Sequence, residues 1–246
     1  MPLDRPLTAP ALEAHLLGVV DFDVCLALQH RLVYETAGRA DGQITLLLCE
    51  HPLSITIGRL GSRGHVRLAR EELISRRVEP RWINRGGGCL VHAPGQLAIH
   101  AIVPLEWHGF TVGGYLDRLQ AGLTAALGDV CSPVLTRPGR YGLWGHTGQL
   151  AAVTVAVKNW VSYFGAYLNV APALFPQRWV ESDPLGRSSM SSLAAERRQP
   201  VRMSTMREAV VRRLAESLGC DRYHIYSGHP LLARPRDASP AAARVG

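Results

Sequence analysis

The sequence predicts a single α+β domain in which helices flank a mixed β-sheet, and three observations carry that prediction. Segments of strand period and of helix period mix along the chain without strict βαβ alternation. Neither an internal repeat nor a low-complexity linker divides the 246 residues, a length that one large domain accommodates. A hydrophobic share of 47% is that of an ordinary globular core.

Taken in order, residues 1–18 are Pro-rich and then weakly apolar, and read as an extended N-terminal arm. Residues 19–235 read as the domain, and residues 236–246 have the composition of a loose tail. Val20, Val24, Leu28 and Leu32 recur at every fourth position, one face of a helix that ends near Gly38. Residues 44–49 form a continuous apolar run of strand length, the pattern of a strand buried on both faces. His51-Pro52 ends it, and Leu53, Ile55 and Ile57 then alternate with Ser54, Thr56 and Gly58 as a second strand. Residues 59–65 read as a basic loop, 67–76 as a short helix, and 81–84 as a strand delivering the glycine-rich stretch at 85–96. The chain returns as a strand at 97–103. Leu116, Leu119, Leu123 and Leu127 mark one face of a helix over 115–127. Residues 150–157 and 161–170 form a hairpin turning at Lys158-Asn159. Thr205 and Glu208 have capping-box spacing, opening a last helix that runs through Val210, Leu214 and Leu218 to Gly219.

Composition narrows the function classes. No run of eighteen apolar residues and no charged-then-apolar leader occurs, so a cytoplasmic protein with neither membrane span nor secretory signal is expected. Five scattered cysteines, Cys25, Cys49, Cys89, Cys131 and Cys220, contain no C-x-x-C pattern. Neither a zinc motif nor a disulfide framework is therefore expected, and no cofactor is implied. The formal charge of +7 comes almost wholly from arginine, since Lys158 is the single lysine, and it suits an acidic partner. The arginines are dispersed without interleaved aromatics, which argues against a nucleic-acid surface.

Residues 85–96 read Arg-Gly-Gly-Gly-Cys-Leu-Val-His-Ala-Pro-Gly-Gln. Three consecutive glycines sacrifice packing and add unfolded-state entropy, and a stable fold keeps them where backbone bends or closely approaches a ligand. The alternative is a glycine-rich surface hairpin. Flanking motifs weigh against it. Leu47-Leu48-Cys49-Glu50-His51-Pro52, Thr56-Ile57-Gly58-Arg59, Arg85-Gly86-Gly87, His92-Ala93-Pro94-Gly95-Gln96, and Gly165 with Leu168-Asn169-Val170 follow one another in order. This ordered set resembles the lipoyl (octanoyl) transferases, which share the fold of the biotin and lipoate protein ligases.

The resemblance implies transfer of an octanoyl chain from acyl carrier protein to a cysteine, then to a lysine of a lipoyl domain. It makes acyl carrier protein and lipoyl domains, both acidic, the expected partners, with a medium-chain acyl group as cargo. It places Arg85, Gly86, Gly87, Gly88, Cys89, Leu90, Val91 and His92 along the acyl pocket, offering backbone N–H groups to the thioester oxygen. Ala152, Val153 and Thr154, with Gly165, Ala166 and Tyr167, would complete the tunnel, and Arg59 would stand beside it. Ala152 to Thr154 read equally as plain core strand, and His92 as a histidine satisfied by hydrogen bonds at a turn.

The resemblance fails at the reacting groups. The family's catalytic lysine falls on Gln149, and its cysteine falls on Asp183. The two losses are coherent, because a lysine that holds a thiolate has no purpose once the thiol is gone. An aspartate attacking a thioester would give a mixed anhydride, which is uphill, and its charge beside an apolar tunnel needs a cation such as Arg187 or Arg59. Ser182 or the serines at 188–192, with His92 as base, and Cys89 within the pocket segment are the substitute nucleophiles. The bland readings are solvated loop serines and a small buried residue. Cys49 reads as core, and Lys158 as a charged turn residue. Three functions follow: an acyltransferase of the lipoylation pathway, a catalytically inactive relative that binds an acyl or lipoyl group or the lipoyl domain, and an ATP-dependent lipoate or biotin ligase.

Overall fold

The computed structural model describes residues 11–39, 41–130, 134–182 and 189–232. In chain order the elements are β1 (Leu12–Val19), α1 (Phe22–Gly38), β2 (Ile44–Glu50), β3 (Ser54–Ile57), α2 (Arg70–Ser75), β4 (Pro80–Trp82), β5 (Cys89–His92), β6 (Gln96–Ile102), α3 (Val112–Val130), β7 (Leu135–Arg137), β8 (Arg140–Trp144), β9 (Gln149–Lys158), β10 (Val161–Asn169), α4 (Leu193–Arg197), α5 (Met203–Leu218) and β11 (Tyr223–Ser227). Single 3₁₀ turns lie at Arg63–His65 and Pro176–Trp179.

Eight strands make one sheet in the order β11-β1-β2-β6-β10-β9-β8-β7, and β4-β3-β5 make a second. β1 runs parallel to both β11 and β2, whereas β2, β6, β10, β9, β8 and β7 pair antiparallel in succession. The sheet is therefore mixed, as expected. Alternation along β2 sends Ile44, Leu46 and Leu48 to one face and Leu47 and Cys49 to the other. On the first face α3 and α5 pack through Leu119, Leu123, Leu127, Met206, Val210 and Leu214. On the second lies α1, with Phe22, Cys25, Leu28, Leu32 and Val33 buried. At the surface Arg213 grips Asp129 of α3 through Nε and Nη2, each at 2.7 Å, and holds that carboxyl down at about 2. Among the described residues no helix is long and apolar enough to cross a membrane.

Besides β7, β8, α4 and β11, which the sequence reading does not contain, the structure differs from it in four places. From Leu12 onward the expected arm is a strand between β2 and β11. The helix predicted from Val20 starts at Phe22, capped by the Asp21 carboxylate accepting from Asp23 and Val24 N–H, and its buried face is rotated so that Cys25 points inward while Val24 is exposed. The last helix starts at Met203 without a side-chain cap, which leaves Thr205 inside its first turn. There the buried Met206 and Val201, rather than capping chemistry, fix where the helix begins. The glycine stretch contains a strand of its own, β5, paired with β3. The predicted hairpin is present, turning through Asn159 and Trp160 at φ 52 and 58, the doubly left-handed conformation of a tight hairpin turn.

Candidate active site

The glycine segment is fastened on both sides by main chain. Arg59, Leu60 and Gly58 N–H groups donate to the carbonyls of Arg85 (2.9 Å), Gly87 (3.0 Å) and Gly88 (3.1 Å). Gly86 N–H donates to Val155 O of β9 at 3.1 Å, and so joins the small sheet to the large one. Two glycines are required here. Gly87 lies at φ +77, and a Cβ on it would stand 3.3 Å from Thr154 Cγ2. A Cβ on Gly58 would come within 2.6 Å of Gly87 O and 2.7 Å of Arg85 Nη1.

Arg85 is fully buried. Its Nη1 donates to Gly86 O at 2.9 Å, and its Nη2 donates to Thr56 O at 3.1 Å and to Thr56 Oγ1 at 2.8 Å. No carboxylate pairs with it among the described residues, and burial pushes its guanidinium down to about 10. From Thr56 a directional relay runs through the interior. Thr56 Oγ1–H donates to His92 Nε2 and His92 Nδ1–H donates to Gln96 Oε1, both at 2.8 Å. Gln96 Nε2 donates to Asn169 Oδ1 and Asn169 Nδ2 donates to Ser191 O, again at 2.8 Å. Arg85 already donates to the hydroxyl, so its proton must point at His92, and that fixes the tautomer. Burial, followed by the charges of His51 and Arg85, holds His92 well below the ordinary imidazole range. His92, the last residue of β5, thus has both ring nitrogens engaged in hydrogen bonds.

Beside this segment opens a cavity of about 530 Å³. It is lined by Arg85, Gly86, Gly87, Gly88 and Leu90 and by Ala152, Val153, Thr154 and Val155 of the adjoining β9. Trp144, Tyr141, Leu116, His65, Leu60, Gln149 and Ser182 also line it. Arg85 and Arg140 are the charged groups on this lining, which carries no acid among the described residues. Three buried polar atoms of lining residues, Arg85 Nε, Trp144 Nε1 and Thr154 Oγ1, have no hydrogen-bond partner among the described residues. His65 Nδ1 accepts the Ser62 N–H at 3.2 Å, so its remaining proton sits on Nε2 and that nitrogen is a donor.

The other sequence-derived positions fall as follows. Cys89 and Val91 alternate to the far side of β5 and bury with Ile55 and Ile57 in a separate small core, away from the cavity. The Cys89 Sγ stands 3.5 Å from Ser62 O, and burial raises its thiol above the usual value, which suits a structural cysteine. Gly165, Ala166 and Tyr167 lie in β10, one strand beyond β9, and do not line the cavity, because β9 stands between. Arg59 donates to Asn84 O at 3.2 Å and also lies outside the lining. Gln149 is on the lining, but its Nε2 donates to Ala151 O at 3.1 Å. Asp183, Arg187 and Ser188 lie outside the described residues. Of the serine run, Ser191 Oγ bonds Thr147 Oγ1 at 2.7 Å and Ser192 Oγ caps α4 through Ala195 N–H, both structural tasks. Lys158 is exposed at the end of β9, as a turn residue should be.

Sequence reasoning missed His65, Leu116, Tyr141 and Trp144. It also missed the task of Glu50, whose Oε2 accepts Gly95 N–H and whose Oε1 accepts Arg207 Nη2, each at 2.8 Å. Glu50 thus clamps the Pro94-Gly95 turn and ties it to α5. Glu50→Gln is expected to cost about 1–3 kcal/mol in urea unfolding, the usual range for a partly buried charged hydrogen bond. Combined with Arg207→Met, the loss is expected to be less than additive, because both changes remove one interaction.

The fold is that of the lipoate-protein ligases. A lipoate-protein ligase A bound with ATP superimposes with a TM-score of 0.69 at 13% identity, covering 91% of this chain and 90% of that one. A bi-partite lipoate protein ligase from Thermoplasma acidophilum, studied with its E2 lipoyl domain, gives 0.67 at 14% identity over 91% and 88% of the two chains. The chain belongs to the lipoyl protein ligase A/B catalytic domain family, whose model matches residues 21–215. An octanoyltransferase of Geotalea uraniireducens is 34% identical over 180 residues, 73% of this chain and 80% of its own length. One from Citrifermentans bemidjiense is 34% identical over 197 residues, 79% and 91% of the respective chains.

Proposed function

We propose that this chain transfers an octanoyl group from acyl carrier protein to a lysine of a lipoyl domain, and that the lysine attacks the thioester directly. The observation that carries this reading is the cavity. Its apolar β9 wall offers a slot for a medium-length acyl chain, beside lining residues whose buried Arg85 Nε, Trp144 Nε1 and Thr154 Oγ1 have no partner among the described residues. A direct step forms one C–N bond and breaks one C–S bond, and the amine proton leaves with the carrier thiol. It needs neither a cysteine nor a pocket lysine, and neither lines the cavity among the described residues. Asp183 follows Ser182 in sequence and is the candidate base for the incoming ammonium. The charge of +7 favours encounter with acidic carrier and lipoyl domains.

A second reading has one specific support. With Gln149 committed to Ala151 O, no reacting side chain stands at the family's lysine position, which suits a protein that holds an acyl or lipoyl group without turning it over. Intact-mass measurement separates the two. Mixed with octanoyl-carrier protein and a lipoyl domain, the chain is expected to leave an octanoyl group on the lipoyl domain and none on itself. Cys89→Ser and Ser182→Ala are expected to keep transfer within about threefold, which is less than about 0.7 kcal/mol of barrier. An octanoyl adduct on the chain that either substitution removes would restore a covalent relay. Binding of an octanoyl amide with no transfer would select the second reading.

A further inference from the structure

Beneath α1, on the sheet face opposite α3 and α5, four buried side chains from four parts of the chain meet. They are Cys25 of α1, Cys49 of β2, His51 of the β2–β3 turn and His100 of β6, none more than 1% exposed. Their ligand atoms all lie within 4.8 Å of one another. Cys25 Sγ to Cys49 Sγ is 3.9 Å, Cys49 Sγ to His51 Nε2 is 3.7 Å, and His51 Nε2 to His100 Nε2 is 3.4 Å.

The imidazole pair is longer than a good N–H bond of about 2.7–3.2 Å, whereas the two sulfur contacts are of hydrogen-bond length for sulfur. All three separations match edges of a metal-centred tetrahedron. Metal–sulfur and metal–nitrogen bonds of about 2.3 and 2.0–2.1 Å place N–N, N–S and S–S edges at about 3.3, 3.6 and 3.8 Å.

The orientation of the His51 ring agrees. His51 Nδ1–H donates to Val20 O at 2.8 Å, so its Nε2 lone pair faces the cluster. An outer bond to a carbonyl is the usual way a metal-ligating histidine is aimed. His100 Nδ1 has no partner among the described residues, so no outer bond holds its proton there or sets its tautomer.

We propose that Cys25, Cys49, His51 and His100 form a Cys₂His₂ site for a tetrahedral divalent metal, zinc by preference. Two thiols lose their protons to solvent on binding, and the two thiolates neutralise the ion. Four protein ligands leave no open position, so the site is structural. It pins α1 to the sheet behind Leu90 and Ala152, two residues of the cavity wall that share its hydrophobic cluster. Phe22 covers His51 with ring centroids 5.0 Å apart, and Tyr167 borders His100 at 5.8 Å.

The test uses the full chain, purified without chelator. Elemental analysis is expected to find about one zinc per chain, and Co²⁺ added to stripped protein should give thiolate charge-transfer absorption and intense tetrahedral d–d bands. Cys49→Ser and His100→Ala are expected to lower metal content at least about tenfold, while Cys220→Ser, outside the cluster, leaves it unchanged. Protein that carries no stoichiometric metal and gives no tetrahedral cobalt spectrum would overturn the assignment. A Cys25–Cys49 disulfide in the protein as purified would overturn it too, as would undiminished metal in both ligand variants. If the variants do not fold, the cobalt titration of the unaltered chain decides alone.

Discussion

Gly58→Ala is expected to abolish measurable octanoyl transfer while lowering unfolding free energy by about 2–3 kcal/mol, within the cost of overpacking a closed site. The substituted methyl would press on the carbonyls of Gly87 and Gly86, at 2.6 and 2.9 Å, and on the Arg85 guanidinium at 2.7 Å. Two of these are backbone, and the third belongs to a side chain held by three hydrogen bonds, so none can move aside cheaply. Relief comes only by displacing the glycine segment, which breaks the Gly86–Val155 link and narrows the cavity. A shift of 1 Å in a positioning wall is worth on the order of a hundredfold in rate. The check pairs a transfer assay with urea unfolding: a folded variant that transfers at the wild-type rate would show that this wall does not position the acyl group.

Thr56→Val is expected to destabilise the protein by about 2–4 kcal/mol, although the two side chains have nearly the same shape. The hydroxyl is the joint of the interior relay, accepting from Arg85 and donating to His92. Valine leaves His92 Nε2 without a donor and Arg85 short of one acceptor, in a place where neither reaches water. Thr56→Ser keeps the hydroxyl and is expected to lose less than about 1.5 kcal/mol, chiefly its methyl. Equal losses for valine and serine in denaturant titrations would mean that packing, not the hydrogen bonds, holds this position.

How far the sequence could be read depended on whether the signal was local. β2 and the β9–β10 hairpin were visible because burial on both faces and a two-residue turn leave marks within a few positions. The glycine wall was visible for the same reason. β11 was not, since every residue in it is exposed and only pairing with β1 makes it a strand. At the site, Arg85 to Gly88, Leu90 and Ala152 to Thr154 were legible through ordered motifs, and all line the cavity. His65, Leu116 and the β8 pair Tyr141 and Trp144 arrive from three parts of the chain, so no spacing announces them together. The Cys₂His₂ cluster was hidden likewise: its ligands come from a helix, two strands and a turn, and the inward aim of Cys25 depends on a rotation of α1 that periodicity left open.

The two sheets share no strand ladder among the described residues; the cavity lies along their seam, crossed by the backbone link from Gly86 to Val155. An acyl chain lodged there would act as a keystone, supplying the apolar contacts that strand pairing does not. Ligand and fold then become one thermodynamic system, in which occupancy adds to the stability of the joint between the two sheets. The same seam that admits the cargo would thus register whether cargo is aboard.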